Sequence, residues 1–470
     1  MPSESTPAEP APTGPIVIAG ARVIDPASGH DRIADIAIRD DRIAGIGPDL
    51  DRSDSERVID AAGLIACPGL IDPHVHLREP GAEHKETIAT GTRAALSGGF
   101  TTVCCMPNTG PCMDSPEVLG FVRQKAHETG HCRVFPVAAA TVGRRGEQMV
   151  EIELCRRAGA VAFSDDGDVV ESAGMMKSIM TAVAHAGSVF MQHCQDTTLT
   201  QGSVMHAGSV AMRLGLTGWP REAEEIIIER DARLSRATGC RYHVQHLSSG
   251  GSVEIVRRER SERGPNGVSF SAEASPHHLT LTHEACDGFN TAAKMNPPLR
   301  EQADVDAVIE GVVDGTITIL ATDHAPHAPE EKAAPFDDAP FGIIGLETAL
   351  SIYAEVLVHS GRMDWPAMLA LMTVNPARLC GLDAGSGGPG LGSLAVGGPA
   401  DVTLIDPDAA WTVTTDQLAG KSVNTPYLGR TARSRAVASI VGGRLAMRRE
   451  NPADAGEFLV GNAEAMNAGS

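Results

Sequence analysis

Gly69-Leu70-Ile71-Asp72-Pro73-His74-Val75-His76-Leu77-Arg78 is the most informative stretch of this 470-residue chain. It predicts a short buried strand, and because strand side chains alternate between faces, His74 and His76 point the same way. Two imidazoles from one strand make half of a metal site, and imidazole is a good ligand for zinc. On its own, however, a His-x-His pair is more often two structural histidines at the end of a strand.

Seven further apolar segments follow this one, separated by helical stretches. The eight candidate strands are Leu70–His76, Thr101–Cys105, Val134–Ala138, Ala160–Phe163, Ser188–Gln192, Arg241–Gln245, Val268–Ala272 and Ile317–Ala321. Eight strands that alternate with helices predict an α/β fold, a (β/α)8 barrel of the TIM type, over residues 68–385.

The two ends of the chain do not follow this alternation. Residues 15–67 and 386–448 have the pattern of short strands and turns, with Asp401–Asp406 and Ala436–Leu445 as strands of the second segment. We expect the two segments to pair into one small β-sandwich domain, which the barrel interrupts in sequence. The small and polar residues of 1–14 predict a disordered tail, and those of 449–470 predict a flexible C-terminal tail.

Composition narrows the class of function. The formal net charge is −21, so the basic surface that binds nucleic acid is absent, and an anionic substrate needs local positive charge from a metal or an arginine. No apolar run approaches the roughly 20 residues that cross a bilayer, and no signal peptide is visible, which predicts a soluble, cytoplasmic protein. The ten cysteines form no CxxC pair and are expected to be reduced and mostly buried.

Candidate metal ligands follow the predicted strands, where barrel enzymes keep their active sites. Besides His74 and His76 they are Asp165 and Asp166 after the fourth strand, His193 after the fifth, His246 after the sixth and Asp323 after the eighth. Each alone has an ordinary alternative: a turn for the aspartate pair, a buried structural position for the histidines, or a helix cap for Asp323. His243 is assigned to structure. Because four histidines and two aspartates converge on one end of the barrel, the joint pattern favours a metal site.

The combined pattern predicts two metal ions. The first would be held by His74, His76, Asp166 and Asp323, and the second by Asp166, His193 and His246. Such a pair lowers the pKa of a bridging water toward ~7, giving a hydroxide nucleophile at neutral pH, and polarises a carbonyl. Asp323 could take the proton of that hydroxide and pass it to a leaving nitrogen. The predicted reaction is hydrolysis of an amide-like bond without a covalent enzyme intermediate.

Longer motifs around these residues closely resemble class I dihydroorotase, of the amidohydrolase superfamily. The motifs are Asp72-Pro-His-Val-His-Leu-Arg-Glu-Pro-Gly81, Gly98-Gly-Phe-Thr-Thr-Val-Cys-Cys-Met-Pro-Asn-Thr109, Phe163-Ser-Asp-Asp-Gly167, Lys294-Met-Asn-Pro-Pro-Leu-Arg300, Ala321-Thr-Asp-His-Ala-Pro-His327 and Pro340-Phe-Gly342. The resemblance covers roughly residues 60–430. It implies the reversible ring opening of dihydroorotate to N-carbamoyl-L-aspartate, the third step of pyrimidine (UMP) synthesis.

The resemblance also implies roles for individual residues. It selects Asp166 over Asp165 as the bridging ligand, gives Asp323 the general acid/base role, and implies one or two zinc ions, with two favoured. The substrate contacts carried over are His76, Arg78, Asn108, Asn296, His327 and the backbone around Phe341 and Gly342.

The chemistry of these side chains agrees with the implied substrate. Arg78 can bind a carboxylate as a bidentate fork, and Asn108 and Asn296 each offer a donor and an acceptor. The alternative for Arg78 is an ion pair with Glu79 or Glu83. The alternative for the two asparagines is turn chemistry beside the prolines that flank them.

Two features depart from the family pattern. Gln195 stands where an acidic residue is expected, and a short insertion appears over Arg260–Asn266, in a predicted surface loop. A carboxylated lysine, the bridge of related hydrolases, has no obvious place because Asp166 occupies that position.

Two other functions stay open. Another cyclic amidohydrolase, such as an allantoinase or hydantoinase, is disfavoured by the aspartate at 166. A non-catalytic, dihydroorotase-like partner of aspartate transcarbamoylase is disfavoured by the complete ligand set, although an active chain could also bind the transferase or form a homodimer.

Overall fold

The barrel and the β-rich domain predicted from the sequence are both present. The computed structural model describes residues 14–264 and 269–459. The fold class is confirmed: a parallel eight-stranded barrel, with a second sheet built from both chain ends. Nearly all of the predicted N-terminal tail, residues 460–470 of the predicted C-terminal tail and part of the predicted insertion lie outside the described residues.

The described residues contain nineteen strands. In chain order they are β1 Ile16–Asp25, β2 His30–Arg39, β3 Arg42–Gly47, β4 Arg57–Asp60, β5 Ile65–Pro68, β6 Leu70–Val75, β7 Phe100–Cys105, β8 Arg133–Ala138, β9 Ala162–Phe163, β10 Val189–Gln192, β11 Met205–His206, β12 Gly218–Trp219, β13 Arg241–Val244, β14 Phe270–Ala274, β15 Ile319–Leu320, β16 Val402–Thr412, β17 Thr431–Val441, β18 Arg444–Arg448 and β19 Glu457–Phe458.

The same part of the chain contains fourteen α-helices. They are α1 Ile88–Ser97, α2 Pro116–Thr129, α3 Ile152–Arg157, α4 Ala173–His185, α5 Thr197–Thr200, α6 Ser209–Leu214, α7 Glu222–Thr238, α8 Gly250–Arg263, α9 Pro276–Thr280, α10 Gln302–Val313, α11 Pro329–Lys332, α12 Leu346–Tyr353, α13 Trp365–Ala370 and α14 Val374–Leu379. Polar caps mark several helix starts: Thr87 accepts from the backbone of Thr90 at the start of α1, and Ser249 accepts from Ser252 at the start of α8.

Eight strands pair in parallel to form the barrel, in the order β6-β7-β8-β9-β10-β13-β14-β15. Between the two ends of this sheet, Val75 bridges His324, and the amide of His76 donates to the carbonyl of His324 at 2.9 Å. Every residue of β6 and β7 is buried. Strands covered on both faces need nearly continuous apolar runs, which is why the sequence pattern found them.

All eight predicted barrel strands are present, with one shift that bears on the site. The seventh was predicted over Val268–Ala272 but runs over Phe270–Ala274, two residues later. The shift brings Glu273, which lies outside the predicted strand, into the buried β14.

The β-rich domain joins the two ends of the chain in one sheet. Its strands run β19-β18-β17-β16-β5-β1-β2-β3, with β4 beside β1. The antiparallel pairing of β5 with β16, which sets Ile65 opposite Ile405, connects the N-terminal and C-terminal segments. A separate apolar core, with Ile18, Ile36 and Ile440 fully buried, stabilises this sheet.

Two expectations for the C-terminal segment were wrong. The single strand predicted over Ala436–Leu445 is two strands, because Gly442 and Gly443 adopt φ values of 53° and 75° and turn the chain between β17 and β18. The segment 449–459 is not a separate tail: β19 pairs with β18, and the buried guanidinium of Arg449 donates to the carbonyl of Ser97 at 3.0 Å.

Within residues 14–264 and 269–459, no helix combines the length and apolarity that a membrane crossing requires. All ten cysteines lie in these ranges, all are free thiols, and nine are buried. The Sγ atoms of Cys104 and Cys380 are 3.7 Å apart, a hydrogen-bond contact between thiols.

Candidate active site

The predicted ligands meet at the carboxyl end of the barrel. A cavity of about 180 Å³ is lined by five of them, His76, Asp166, His193, His246 and Asp323. The sixth, His74, is fully buried beside the cavity, with its ring centre 5.5 Å from that of His76 and 5.3 Å from that of His246. Each ligand follows a different barrel strand except the His74 and His76 pair, which β6 places together.

Asp166 lies at the centre of the cluster. Its Oδ1 is 3.4 Å from His74 Nε2, 3.8 Å from His246 Nε2 and 3.9 Å from His193 Nδ1. Its Oδ2 is 3.4 Å from His76 Nε2. One carboxylate therefore faces both histidine pairs, which is the arrangement that a bridging ligand needs.

Asp323 completes the other side of the cluster. Its Oδ1 is 3.0 Å from His76 Nε2 and 3.4 Å from His74 Nε2. Two groups of three residues could each hold a metal ion, because the ligand atoms within each group lie within 4.8 Å of one another. One group is His74, His76 and Asp323, and the other is His74, Asp166 and His246. Imidazole nitrogens with carboxylate oxygens suit a divalent ion such as zinc, so the residues fit a metal.

The charges of the cluster stabilise one another. Burial by itself would raise the pKa of Asp166, but the neighbouring His74 and His246 outweigh it and hold that pKa well below its usual range. Asp323 behaves in the same way: burial raises its pKa, His74 and His76 lower it more, and the net shift is downward. Both carboxylates are therefore ionised at neutral pH, as metal ligands and a proton acceptor must be.

Neighbouring amides orient two of the histidines. His76 Nδ1 donates to Asn108 Oδ1 at 2.8 Å, which leaves Nε2 facing the two aspartates. His193 Nε2 donates to Gln195 Oε1 at 2.9 Å, which leaves Nδ1 facing His246 Nε2 at 2.9 Å and Asp166 Oδ1 at 3.9 Å. Gln195, the departure from the family pattern, thus still supplies an acceptor for His193.

The aspartate pair divides between structure and site. Asp165 turns away from the cavity and accepts hydrogen bonds from the backbone amides of Ala140 and Thr141, at 2.8 and 3.0 Å. Asp166 turns toward the histidines. This division agrees with the choice of Asp166 over Asp165 as the bridging ligand. Local sequence could not make that choice, because the two carboxylates are neighbours.

Sequence reasoning missed one residue beneath the cluster. Glu273 on β14 is fully buried, and its Oε1 lies 2.5 Å from His74 Nδ1. An acidic residue near the end of a buried strand was the signal, but the predicted strand stopped one residue before it. His243, assigned to structure, contacts the other oxygen of Glu273 at 3.0 Å.

The predicted substrate residues line the same cavity as the ligands. Besides His76, they are Arg78, Asn108, Asn296, His327, Phe341 and Gly342. The alternative for Arg78, an ion pair with Glu79 or Glu83, is not present. Glu79 instead accepts from the amide of Ile88, and Glu83 accepts from that of Gly81. Their roles in binding substrate stay predictions.

Arg78 places a cation at the edge of the cavity. Burial lowers its pKa to about 10, so the guanidinium remains charged at neutral pH. Its Nε donates to the carbonyl of Pro326 at 3.1 Å, and Nη2 donates to His327 Nε2 at 3.3 Å. Burial and then the charge of Arg78 lower the pKa of His327 to about 3, so the ring is neutral and can accept.

Asn296 presents an unused acceptor. Its amide nitrogen donates to Gln195 Oε1 at 3.2 Å, whereas its Oδ1 is buried and has no partner. A buried acceptor without a partner is costly unless a ligand supplies a donor. The asparagine therefore fits a ligand that carries an N–H group.

Three site residues have strained backbones. Arg78, His246 and Asp323 have φ values of 61°, 31° and 49°, in the left-handed region that non-glycine residues rarely adopt. Such strain concentrates at functional sites, where the surrounding structure holds it in place. It aims each side chain into the cavity from the end of its strand.

Fold and site together define the class of protein. A parallel barrel whose strand ends direct four buried histidines and two aspartates into one cavity is an amidohydrolase-type enzyme. Solved structures agree on the fold: L-hydantoinase (dihydropyrimidinase) from Arthrobacter aurescens superposes with a TM-score of 0.84 at 25% identity, covering 95% of this chain and 98% of that one. D-Hydantoinase (dihydropyrimidinase) from Thermus sp. has a TM-score of 0.79 at 24% identity, covering 96% and 99%.

Sequence relatives define the family. The dihydro-orotase-like family model matches residues 63–252. The dihydroorotase of Pelotomaculum thermopropionicum is 45% identical over 433 residues, 92% of this chain and 98% of the relative. That of Solibacter usitatus is 44% identical over 437 residues, 93% of this chain and 99% of the relative. The chain belongs to the dihydroorotase family of cyclic amide hydrolases.

Proposed function

We propose that this chain catalyses the reversible hydrolysis of dihydroorotate to N-carbamoyl-L-aspartate, with zinc as its metal, as a class I enzyme of de novo pyrimidine synthesis. The observation that carries the proposal is the cavity itself. It holds a partly buried arginine cation, Arg78, together with the carboxylate of Asp323 and an asparagine oxygen that lacks a partner. Dihydroorotate offers a carboxylate that Arg78 could bind and ring N–H groups that the asparagine oxygen could accept from.

Substrate orientation follows from these groups. Arg78 would bind the substrate carboxylate, supplying the positive charge that a protein of net charge −21 otherwise lacks. Asn296 Oδ1 would accept from a ring N–H. Phe341 and Gly342 also line the cavity, and Gly342, at φ 146°, packs so tightly that a Cβ would lie 2.8 Å from the carbonyl of Ala325.

The proton transfers fall to Asp323. We expect His74, His76, Asp166, His193, His246 and Asp323 to hold the metal, with two zinc ions favoured. Bound metal would supply activation of water and polarisation of the amide carbonyl. Asp323, ionised and beside the cluster, would accept the proton of the attacking water and return it to the departing ring nitrogen.

The alternative substrate classes have less support. The solved structures with the same fold are hydantoinases, but their low identity bears on the fold, whereas the dihydroorotases match over more than nine-tenths of the chain. An aspartate rather than a lysine stands at position 166.

The test uses the full chain purified with zinc in the medium. Consumption of dihydroorotate and its formation from N-carbamoyl-L-aspartate would be followed, with hydantoin and allantoin as comparison substrates, and zinc would be counted by mass spectrometry. We expect turnover in both directions for dihydroorotate alone, and two zinc ions per chain. An inactive, metal-free protein, or one that prefers hydantoin, would contradict the proposal.

Three expectations about the setting of the enzyme accompany this proposal. A homodimer, a complex with aspartate transcarbamoylase and a cytoplasmic location each stay predictions.

A further inference from the structure

A buried chain of polar side chains runs along the barrel interior below the candidate metal site. Ser271 Oγ lies 2.8 Å from His243 Nδ1, and His243 Nε2 lies 3.0 Å from Glu273 Oε2. Glu273 Oε1 lies 2.5 Å from His74 Nδ1. Each of these side chains is buried, and His74, His243 and Glu273 have no measurable exposure.

The direction of each of these hydrogen bonds follows from which atoms can donate and which can only accept. A carboxylate only accepts, so His243 Nε2 and His74 Nδ1 must both carry protons toward Glu273. His243 Nδ1 then accepts from the hydroxyl of Ser271. The amide nitrogen of Gln245 also lies 3.1 Å from His74 Nδ1, but two N–H groups cannot share a hydrogen bond, so the shorter contact with the carboxylate decides the tautomer.

This tautomer determines which nitrogen of His74 can bind a metal. With Nδ1 donating its proton to Glu273, Nε2 is the nitrogen that can bind a metal, and it lies 3.4 Å from both Asp166 Oδ1 and Asp323 Oδ1. His74 belongs to both trios of donor atoms that could hold an ion, so its orientation affects the whole cluster. A carboxylate behind a ligating histidine also strengthens the basicity of the nitrogen that faces the metal.

We propose that Glu273, itself held by His243 and Ser271, is a positioning residue that fixes His74 as an Nε2 ligand and so determines the affinity of the site for its metal. The inference rests on the proposed metal-dependent function. Neither Glu273 nor His243 lines the substrate cavity, so both act through His74. These hydrogen-bonded side chains connect strands β6, β13 and β14. The hydrogen bonds to both oxygens of Glu273 also explain how a carboxylate is accommodated in the buried interior of the barrel.

The test measures zinc affinity by competition with a chelator for the wild-type full chain and the variants Glu273→Gln and His243→Gln. Outer partners of this kind typically change metal affinity by roughly 10–100-fold, so we expect a loss of that size for Glu273→Gln and a smaller loss for His243→Gln. Glu347→Gln is the matched control, because Glu347 is a buried carboxylate that accepts from the amide of Ala419, outside this cluster. It should bind zinc as the wild type does.

Cobalt substitution supplies a second readout that a general loss of stability would not move. The visible absorption bands of bound Co²⁺ should change in Glu273→Gln and remain as in the wild type in Glu347→Gln. Zinc affinity within two-fold of wild type in a folded Glu273→Gln protein would overturn the inference, and so would an equal loss in the control. If Glu273→Gln does not fold, the zinc affinities of Glu273→Asp and His243→Gln are compared with those of the wild type and the control instead. A wild-type chain that neither binds zinc nor turns over dihydroorotate would instead refute the proposed function.

Discussion

Asp323 combines three properties at one position. It lies shortly after β15, its backbone is left-handed, and its Oδ1 is 3.4 Å from His74 Nε2 and 3.0 Å from His76 Nε2. Its pKa is held low by these histidines against the opposing effect of burial. A carboxylate so placed can act as both a ligand and a proton carrier, which the isosteric amide cannot.

We therefore predict that Asp323→Asn lowers turnover of dihydroorotate by roughly 10²–10⁴-fold, the usual contribution of a positioned acid/base group. The fold should survive because the side chain keeps its size. Steady-state kinetics measures the first effect and thermal unfolding the second. Metal content of the variant separates lost ligation from lost proton transfer.

Asp35→Asn is the control for this substitution. Asp35 is a buried carboxylate of the β-rich domain that accepts from the amide of Gly20 at 2.8 Å and pairs with Arg52. Its loss should cost stability and leave turnover per folded molecule unchanged. Near-normal turnover in Asp323→Asn would rule out the acid/base role.

The loop that follows β15, residues 321–345, is the element that completes the site. It carries Asp323 and His327 at its start and Phe341 and Gly342 near its end. The buried ammonium group of Lys332 stabilises this loop: it donates to the carbonyl of Pro340 within the loop at 2.8 Å and to that of Thr291 outside the loop at 3.0 Å. Neither of these hydrogen bonds is to a carboxylate, so the buried charge is not neutralised by them. We therefore expect the stability of the loop to depend on pH.

Burial, and then the charge of Lys294, lower the pKa of Lys332 from 10.5 to about 7. Below about pH 7 the group is protonated in both states, and the folded protein bears the full cost of the buried charge. Between about pH 7 and about pH 10 the unfolded chain binds more protons than the folded one, so this residue adds stability as the pH rises.

We predict that Lys332→Met removes this gain. The free energy of unfolding in urea would be measured at pH 7 and pH 9.5 for the wild type, for Lys332→Met and for Lys177→Met, whose side chain is exposed. Wild type and Lys177→Met should gain stability relative to Lys332→Met at the higher pH. Identical pH profiles in all three proteins would contradict the prediction.

In the whole molecule, the barrel and the β-rich domain are joined by a partly buried ion pair. Arg133, at the start of β8, donates to both carboxylate oxygens of Asp401, at 2.7 and 3.1 Å. Asp401, just before β16, also accepts from the amide of Gly442 at 2.7 Å. One carboxylate thus fixes the barrel, the entry of β16 and the turn after β17 relative to one another.

We expect Asp401→Asn to lower the free energy of unfolding by roughly 1–3 kcal/mol, because it leaves the partly buried donors of Arg133 poorly satisfied. Glu153→Gln is the comparison: it breaks an exposed pair with Arg157 and should cost under about 0.5 kcal/mol. Urea unfolding measures both. Equal stability of the two variants would show that the junction contributes little, and catalysis should be unchanged in each because neither residue lines the cavity.

Much of this protein follows from local pattern. Continuous apolar runs identified all eight barrel strands, because a parallel strand covered on both faces has few other options. The ends of those strands, and the positions just after them, contained all six proposed ligands, since a parallel barrel brings the carboxyl ends of its strands together. The paired pattern at both ends of the chain likewise predicted one β-rich domain.

What local pattern left undecided depends on which atoms meet in space. Asp165 and Asp166 are equivalent in sequence, and only the backbone amides of residues 140 and 141 separate them. The turn at Gly442 arises from a backbone conformation that the apolar run around it conceals. Glu273 is recognisable as a partner of His74 only once the barrel closes and brings β14 near β6, with β15 between them. The sequence by itself therefore determined the strands and the ligand types, whereas tertiary structure decided the tautomers and hydrogen-bond partners, because these depend on contacts between residues as far apart as 74 and 273.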